Sequence, residues 1–172
     1  MLFNVSKLLK EPTGTARSYE VDEALALTDD GGVNRVRGTV NLLRTPQGAW
    51  VSAALDSAVQ CTCSRCLTEC RQPVHMAIDE EFLTLADAET GATVDRSAEG
   101  DEYFCIDKSH ILDLREAARQ YAAICMPMKP VCRDDCAGIC MDCGVNLNET
   151  TCKCDKTPRD PKWGPLLELV EK

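Results

Sequence analysis

Histidine is almost missing from this 172-residue chain: only His75 and His110 occur, and both stand apart from the cysteine loops. A hydrolytic zinc site needs an open coordination position and a general base, and commonly draws on histidine or carboxylate ligands. That chemistry has little to work with here. Aromatic residues are also scarce, at 5%, although an apolar share of 44% keeps the chain within the globular range. No window approaches the roughly 18 apolar residues of a membrane span. The segment Met1-Leu-Phe-Asn-Val-Ser-Lys-Leu-Leu-Lys10 has no unbroken hydrophobic stretch ahead of a small-residue cleavage site, so a cytoplasmic protein is expected.

Dense positive charge is lacking as well. The formal net charge is −9, and twelve Asp and Glu against three Arg and Lys between Ile78 and Glu116 account for it. The remainder is close to neutral, which argues against nonspecific nucleic-acid binding, because that requires several phosphates to be neutralised together. Glycine-rich phosphate loops, Gly-x-Ser-x-Gly elbows and zincin helices are not found. The carboxylates Asp79, Glu80 and Glu81 read as a solvated strand end. The expectation is a protein that is not an enzyme and has no small-molecule substrate or membrane partner.

Cysteine is what the chain has in excess. Eight of twelve fall in close pairs: Cys63-Ser-Arg-Cys66, Cys132-Arg-Asp-Asp-Cys136, Cys140-Met-Asp-Cys143 and Cys152-Lys-Cys154. A Cys-x2-Cys loop brings two thiolates to about 2.3 Å from one zinc ion, and two such loops complete a tetrahedron. In a reducing compartment these thiols read as metal ligands rather than a disulfide framework. Cys140, Cys143, Cys152 and Cys154 make the favoured primary site, helped by Gly144, whose conformational freedom suits the turn around an ion. Cys132 and Cys136 are rival or second-site ligands. Cys63 and Cys66 mark a separate knuckle, share a site with Cys61 and Cys70, or join the C-terminal cysteines across the fold. Iron–sulfur ligation and a dithiol redox pair are further readings, the latter weakened because the motif does not open a helix in a βαβ unit. Four thiolates leave no open position, so the metal would be structural.

Around these loops the pattern predicts an α+β protein: a small antiparallel sheet or partial barrel, one helix and a C-terminal cysteine-rich zinc module. Val36, Gly38, Val40 and Leu42 alternate with Arg35, Arg37, Thr39 and Asn41, then Thr45-Pro-Gln-Gly48 turns the chain into Val51, Ala53, Leu55 and Val59. This is a hairpin. Another strand is expected from near Pro73 to near Leu85, and a short apolar strand at Tyr103-Phe-Cys-Ile106 places Cys105 in the core. Asp113 and Glu116 fit a capped helix start, with the helix over about 113–125. The expected division is a β domain over 1–130, with an acidic loop at 86–102, a zinc module over 131–157, and a tail over 158–172 that docks on the β domain.

Cys63-Ser-Arg-Cys66-Leu after a strand, Ile111-Leu-Asp-Leu114 opening a helix that ends at Met126-Pro-Met-Lys-Pro-Val-Cys132, and Cys136-Ala-Gly-Ile-Cys140-Met-Asp-Cys143-Gly-Val-Asn-Leu-Asn148 together carry a resemblance. The chain resembles the YceD family of bacterial and plastid proteins, named for large-ribosomal-subunit accumulation. That resemblance implies a zinc-binding, non-enzymatic factor for large-subunit ribosomal RNA, with ribosomal RNA, assembly intermediates or a basic ribosomal protein as partners. Its contact surface would be Arg65, Arg71, Lys129, Arg133 and Lys153 around the knuckles. Cys61, Cys70, Cys105 and Cys125 have no place in the family pattern. A thiol redox or zinc-responsive regulator is the rival expectation.

Overall fold

A computed structural model describes residues 1–28, 32–87, 90, 92–93 and 103–154. Most of the expected acidic loop at 86–102 and the whole docking tail at 158–172 lie outside the described residues. The elements run β1 (Leu2–Asn4), α1 (Ser6–Leu9), β2 (Ala16–Ala26), β3 (Val33–Arg44), β4 (Gly48–Thr62), β5 (Glu69–Thr84), β6 (Phe104–Ile106), β7 (Ile111–Asp113) and α2 (Arg115–Cys125).

Period-two alternation sets the long strands. Val36, Val40 and Leu42 of β3, Val51, Ala53, Leu55 and Val59 of β4, and Val74, Met76, Ile78 and Phe82 of β5 are all buried on one face. Each of the larger side chains contributes about 1.5–3 kcal/mol by leaving water. Between β3 and β4 the turn is closed by Thr45, whose N–H donates to the Gly48 carbonyl at 3.1 Å and whose hydroxyl accepts the Gly48 N–H at 3.0 Å. Gly38 is required where β3 crosses β4, since a Cβ there would lie 1.9 Å from the Ala54 carbonyl oxygen.

The seven strands form one sheet in the order β1-β7-β6-β5-β4-β3-β2. The sheet curls. Its two edge strands face each other, with the Phe3 and Tyr19 rings 5.2 Å apart and the N-terminal ammonium 2.9 Å from Glu23. An 11-residue helix, about 16 Å long, cannot by itself cover strands of 15 and 16 residues, about 50 Å long. Curling lets the sheet bury much of its own inner face, which is the partial-barrel alternative.

Several expectations need correction. The sheet is mixed, because β6 pairs with β5 in parallel. The acidic connection between Thr84 and Phe104 is long enough for the crossover a parallel pair needs, where a tight turn would have forced antiparallel pairing. There are two short helices among the described residues, α1 as well as α2. Cys105 is exposed, since on three-residue β6 the buried position goes to Ile106 and Phe104 stacks on Phe82 at 5.1 Å.

Helix α2 starts slightly later than its sequence signal. Asp113 ends β7 and accepts the Arg115 N–H at 3.0 Å, while Leu114 takes the cap position and is fully buried. Glu116 is drawn toward Arg119 and Gln120, at 2.8 and 3.0 Å, so no reciprocal capping box forms. Small buried residues, Ala117, Ala118 and Ala122, let the helix lie close to β5, where the Tyr121 hydroxyl donates to Glu80 at 2.8 Å. Glu80 thus lies half-buried inside β5, partnered by Tyr121 of α2, rather than at a solvated strand end. No helix among the described residues is long and apolar enough to cross a membrane.

Candidate metal centres

The longest strand pair ends in the first cysteine loop. Pairing of β4 with β5 runs without interruption from Gly48 opposite Leu83 to Thr62 opposite Glu69, leaving Cys63-Ser-Arg-Cys66-Leu-Thr68 as the hairpin tip. Within it the Cys63 N–H donates to the Thr68 carbonyl at 2.9 Å and the Leu67 N–H to the Cys63 carbonyl at 3.0 Å. The loop at Cys140 repeats this pattern. Cys140 N–H donates to Val145 at 2.8 Å, and Gly144 N–H to Cys140 at 2.9 Å. Both loops end in a left-handed residue, Leu67 at φ 60° and Gly144 at φ 72°. Only at Gly144 is that conformation free of a Cβ penalty.

The eight paired cysteines form two foursomes, and within each the sulfurs all lie within 4.8 Å of one another. Cys63 and Cys66 meet Cys132 and Cys136, while Cys140 and Cys143 meet Cys152 and Cys154. The first knuckle is therefore neither a separate site nor one completed by Cys61 and Cys70; the chain segment after α2 supplies the other half. In the first foursome Cys63 and Cys136 sulfurs are 3.9 Å apart and those of Cys66 and Cys132 3.7 Å. In the second, Cys143 and Cys152 are separated by 3.6 Å and Cys140 and Cys152 by 3.2 Å. A tetrahedron with about 2.3 Å metal–sulfur bonds has edges of about 3.8 Å. Each foursome can hold one metal ion.

The two centres differ in how they are built in. Cys63, Cys66 and Cys136 are 0–5% exposed and Cys132 is exposed, whereas no member of the second foursome is fully buried. Around the first, Ser64 N–H donates to Pro130 at 2.8 Å and Ile139 N–H to Arg65 at 3.1 Å. The Arg65 guanidinium donates to the carbonyls of Asp134 and Cys136 at 3.0 and 3.1 Å. Asn148 finishes the shell: its amide donates to the Cys136 sulfur at 3.3 Å, and its oxygen accepts from Ala137 N–H at 2.9 Å and Arg133 at 2.7 Å.

Backbone N–H groups also tune the thiols. The Cys66 N–H, aided by those of Cys132 and Arg65 and opposed by burial, holds Cys63 down at about 6. The Cys143 and Asp142 N–H groups do the same for Cys140, also at about 6. Burial raises Cys136, but the Asn148 amide and the Gly138 N–H outweigh it, so the thiol falls below its ordinary value. The last members go the other way. Loss of water and then the thiols of Cys136, Cys66 and Cys63 push Cys132 up to about 12, and the thiols of Cys152 and Cys143 push Cys154 up to about 12. Four sulfurs packed this closely cannot all ionise against one another; a cation among them removes that obstacle.

All five cations expected at a contact surface are exposed, and two of them, Arg65 and Arg133, also hydrogen-bond around the first foursome. His75 is exposed and hydrogen-bonds Asp56, and neither histidine joins a foursome. Sequence reasoning missed Asn148 and Thr68, whose hydroxyl lies 2.9 Å from the Cys66 sulfur. The Asn-Leu-Asn148 run just beyond Cys143 was the available signal for Asn148.

A family described as "Large ribosomal RNA subunit accumulation protein YceD" matches residues 51–170. An uncharacterised protein of Mycobacterium tuberculosis is 30% identical over 72% of this chain and 56% of its own length. One from Mycobacterium leprae is 28% identical over 70% of this chain and 52% of its own. The Arabidopsis thaliana protein named large ribosomal RNA subunit accumulation protein YCED homolog 1, chloroplastic, is 32% identical over 35% of this chain and 19% of its own length. The chain spans about half the length of the mycobacterial relatives. No solved structure matches. The chain belongs to the YceD family.

Proposed function

We propose that this YceD-family protein is a non-enzymatic, zinc-stabilised accessory factor for large-subunit ribosomal RNA accumulation, acting during ribosome assembly in the cytoplasm. The observation that carries the reading is the family match over residues 51–170, which takes in every cysteine of both foursomes. Zinc is favoured because four thiolates converging on a single point are its structural coordination, with no position left for substrate or water. Each ion would act as a staple: the first ties the segment at Cys132 and Cys136 to the β4–β5 hairpin, the second folds residues 140–154 on themselves.

Two features of the chain support a ribosomal partner. Arg65, Arg71, Lys129, Arg133 and Lys153 are exposed cations near the knuckles, suited to backbone contacts on folded RNA. The acidic segment between Ile78 and Glu116 carries the net negative charge and suits a basic ribosomal protein. Depletion in the source cell should lower large-subunit ribosomal RNA relative to small-subunit RNA. The tagged protein should sediment with large-subunit precursors at low salt. Unchanged RNA ratios together with no co-sedimentation of the folded, metal-loaded protein would overturn the proposal.

A further inference from the structure

Between the apolar core and the first metal centre lies a pair of thiols that neither centre uses. Cys61 on β4 stands directly opposite Cys70 on β5, one layer beyond Val59 opposite Gln72 and one before the tip where Cys63 faces Thr68. Their sulfurs are 3.5 Å apart and both residues are half-buried, so the pair is close-packed yet reachable. Directly opposed strand residues hold their Cβ atoms about 4.5–5.5 Å apart, and a disulfide needs about 3.5–4.5 Å. Closing the bond thus takes a small side-chain and strand adjustment. Neighbouring layers on the same hairpin, hydrogen-bonded on both sides of the pair, keep the two sulfurs facing each other.

We propose that Cys61 and Cys70 are a redox dithiol, distinct from the metal centres, that closes to a disulfide by exchange with a small-molecule disulfide. One protein thiol loses its proton and attacks a sulfur of the small disulfide, breaking its S–S bond and releasing one thiolate. The second protein thiol, also deprotonated, attacks the protein sulfur of the mixed disulfide and releases the other. Two electrons pass to the small disulfide, and the two protons end on the two released thiols. The closed bond staples the stem of the knuckle just below Cys63 and Cys66 without drawing on any metal ligand. The inference is independent of the ribosomal role.

The test uses the full chain loaded with zinc and treated with oxidised glutathione, followed by alkylation and peptide mapping. The expected product has lost two hydrogens, carries a Cys61–Cys70 crosslink, keeps its zinc, and reverts in excess reduced glutathione. Cys70→Ser should instead retain glutathione on Cys61, and Cys61→Ser/Cys70→Ser should bind as much zinc as the parent. A disulfide involving any of the eight clustered cysteines with loss of zinc would overturn the proposal. So would absence of the crosslink where the exposed Cys105 is modified by the same reagent, or loss of a zinc ion in the double variant, which would make the pair ligands.

Discussion

Replacing Asn148 by alanine should weaken the first metal centre and leave the second unchanged. The side chain donates to the Cys136 sulfur at 3.3 Å and accepts from Ala137 N–H and the Arg133 guanidinium at 2.9 and 2.7 Å. Only the donation to sulfur stabilises the charge that a metal ion requires of Cys136. A hydrogen bond to a charged group is worth about 1.5–3 kcal/mol, and relaxation toward water should recover part of it. A net loss of about 2 kcal/mol corresponds to about 30-fold in zinc affinity at 1.4 kcal/mol per tenfold, inside the 10–100-fold range for groups that orient metal ligands. Asn148→Asp should cost more, since it removes the donor and places a carboxylate beside four thiolates. The assay is competition with a chromophoric chelator, read by alkylation footprint so that Cys63, Cys66, Cys132 and Cys136 are scored separately from Cys140, Cys143, Cys152 and Cys154. An equal loss at both foursomes, or none at the first, would refute the reasoning.

Further outcomes can be stated briefly. Leu67→Gly should stabilise the metal-loaded protein by about 1 kcal/mol in denaturant melts, because Leu67 holds φ 60° while 62% exposed, and glycine removes the left-handed penalty with little packing lost; no gain would mean its exposed side chain contributes more than its backbone costs. Gly38→Ala should lose about 3 kcal/mol or more, since its Cβ would sit 1.9 Å from the Ala54 carbonyl oxygen and force β3 from β4; a loss below about 1 kcal/mol would show that the strands part easily there. Tyr121→Phe should cost about 1 kcal/mol through the lost bond to Glu80. That bond, with burial, raises the Tyr121 phenol above 10.0, so its stabilisation is complete below that pH and fades as pH climbs through the folded value; a Tyr121→Phe cost that persists at high pH would contradict the assignment.

The hairpins were legible because both signals used, alternation and turn chemistry, are local. Val36, Val40 and Leu42 announce their buried face within seven residues. Strand β2 was not, since Ala16–Ala26 buries one position fully and shows polar residues on both sides of its edge. The second metal centre was legible for the same reason as the hairpins: Cys140, Cys143, Cys152 and Cys154 lie within one short stretch. The first was open to several pairings, because spacing within Cys63–Cys66 and within Cys132–Cys136 says nothing about which distant pair completes a tetrahedron. What decides it is the β4–β5 register, which delivers Cys63 and Cys66 to the tip, and the Ser64–Pro130 and Arg65–Ile139 hydrogen bonds that dock the later segment there. Two of the three arginines expected at a contact surface, Arg65 and Arg133, also take part in that docking.

Their positions along the chain would give metal ions at the two foursomes different parts in folding. Cys66 and Cys132 are 66 residues apart, while Cys140 and Cys152 are separated by 12. Closing the longer loop in the unfolded chain costs about 1.5 kcal/mol more, from three-halves RT times the logarithm of the ratio. The second centre can therefore gather its thiols from local chain alone, with Gly144 easing the turn. The first must wait for β4 and β5 to pair, because its knuckle is the tip of that hairpin. A metal ion held there would do what one at the second foursome would not, fixing the segment after α2 to the far end of the sheet. A chain with 5% aromatics and a core of medium-sized aliphatics would gain from such a long-range link, and three of the four cysteines at the greater span, Cys63, Cys66 and Cys136, are buried.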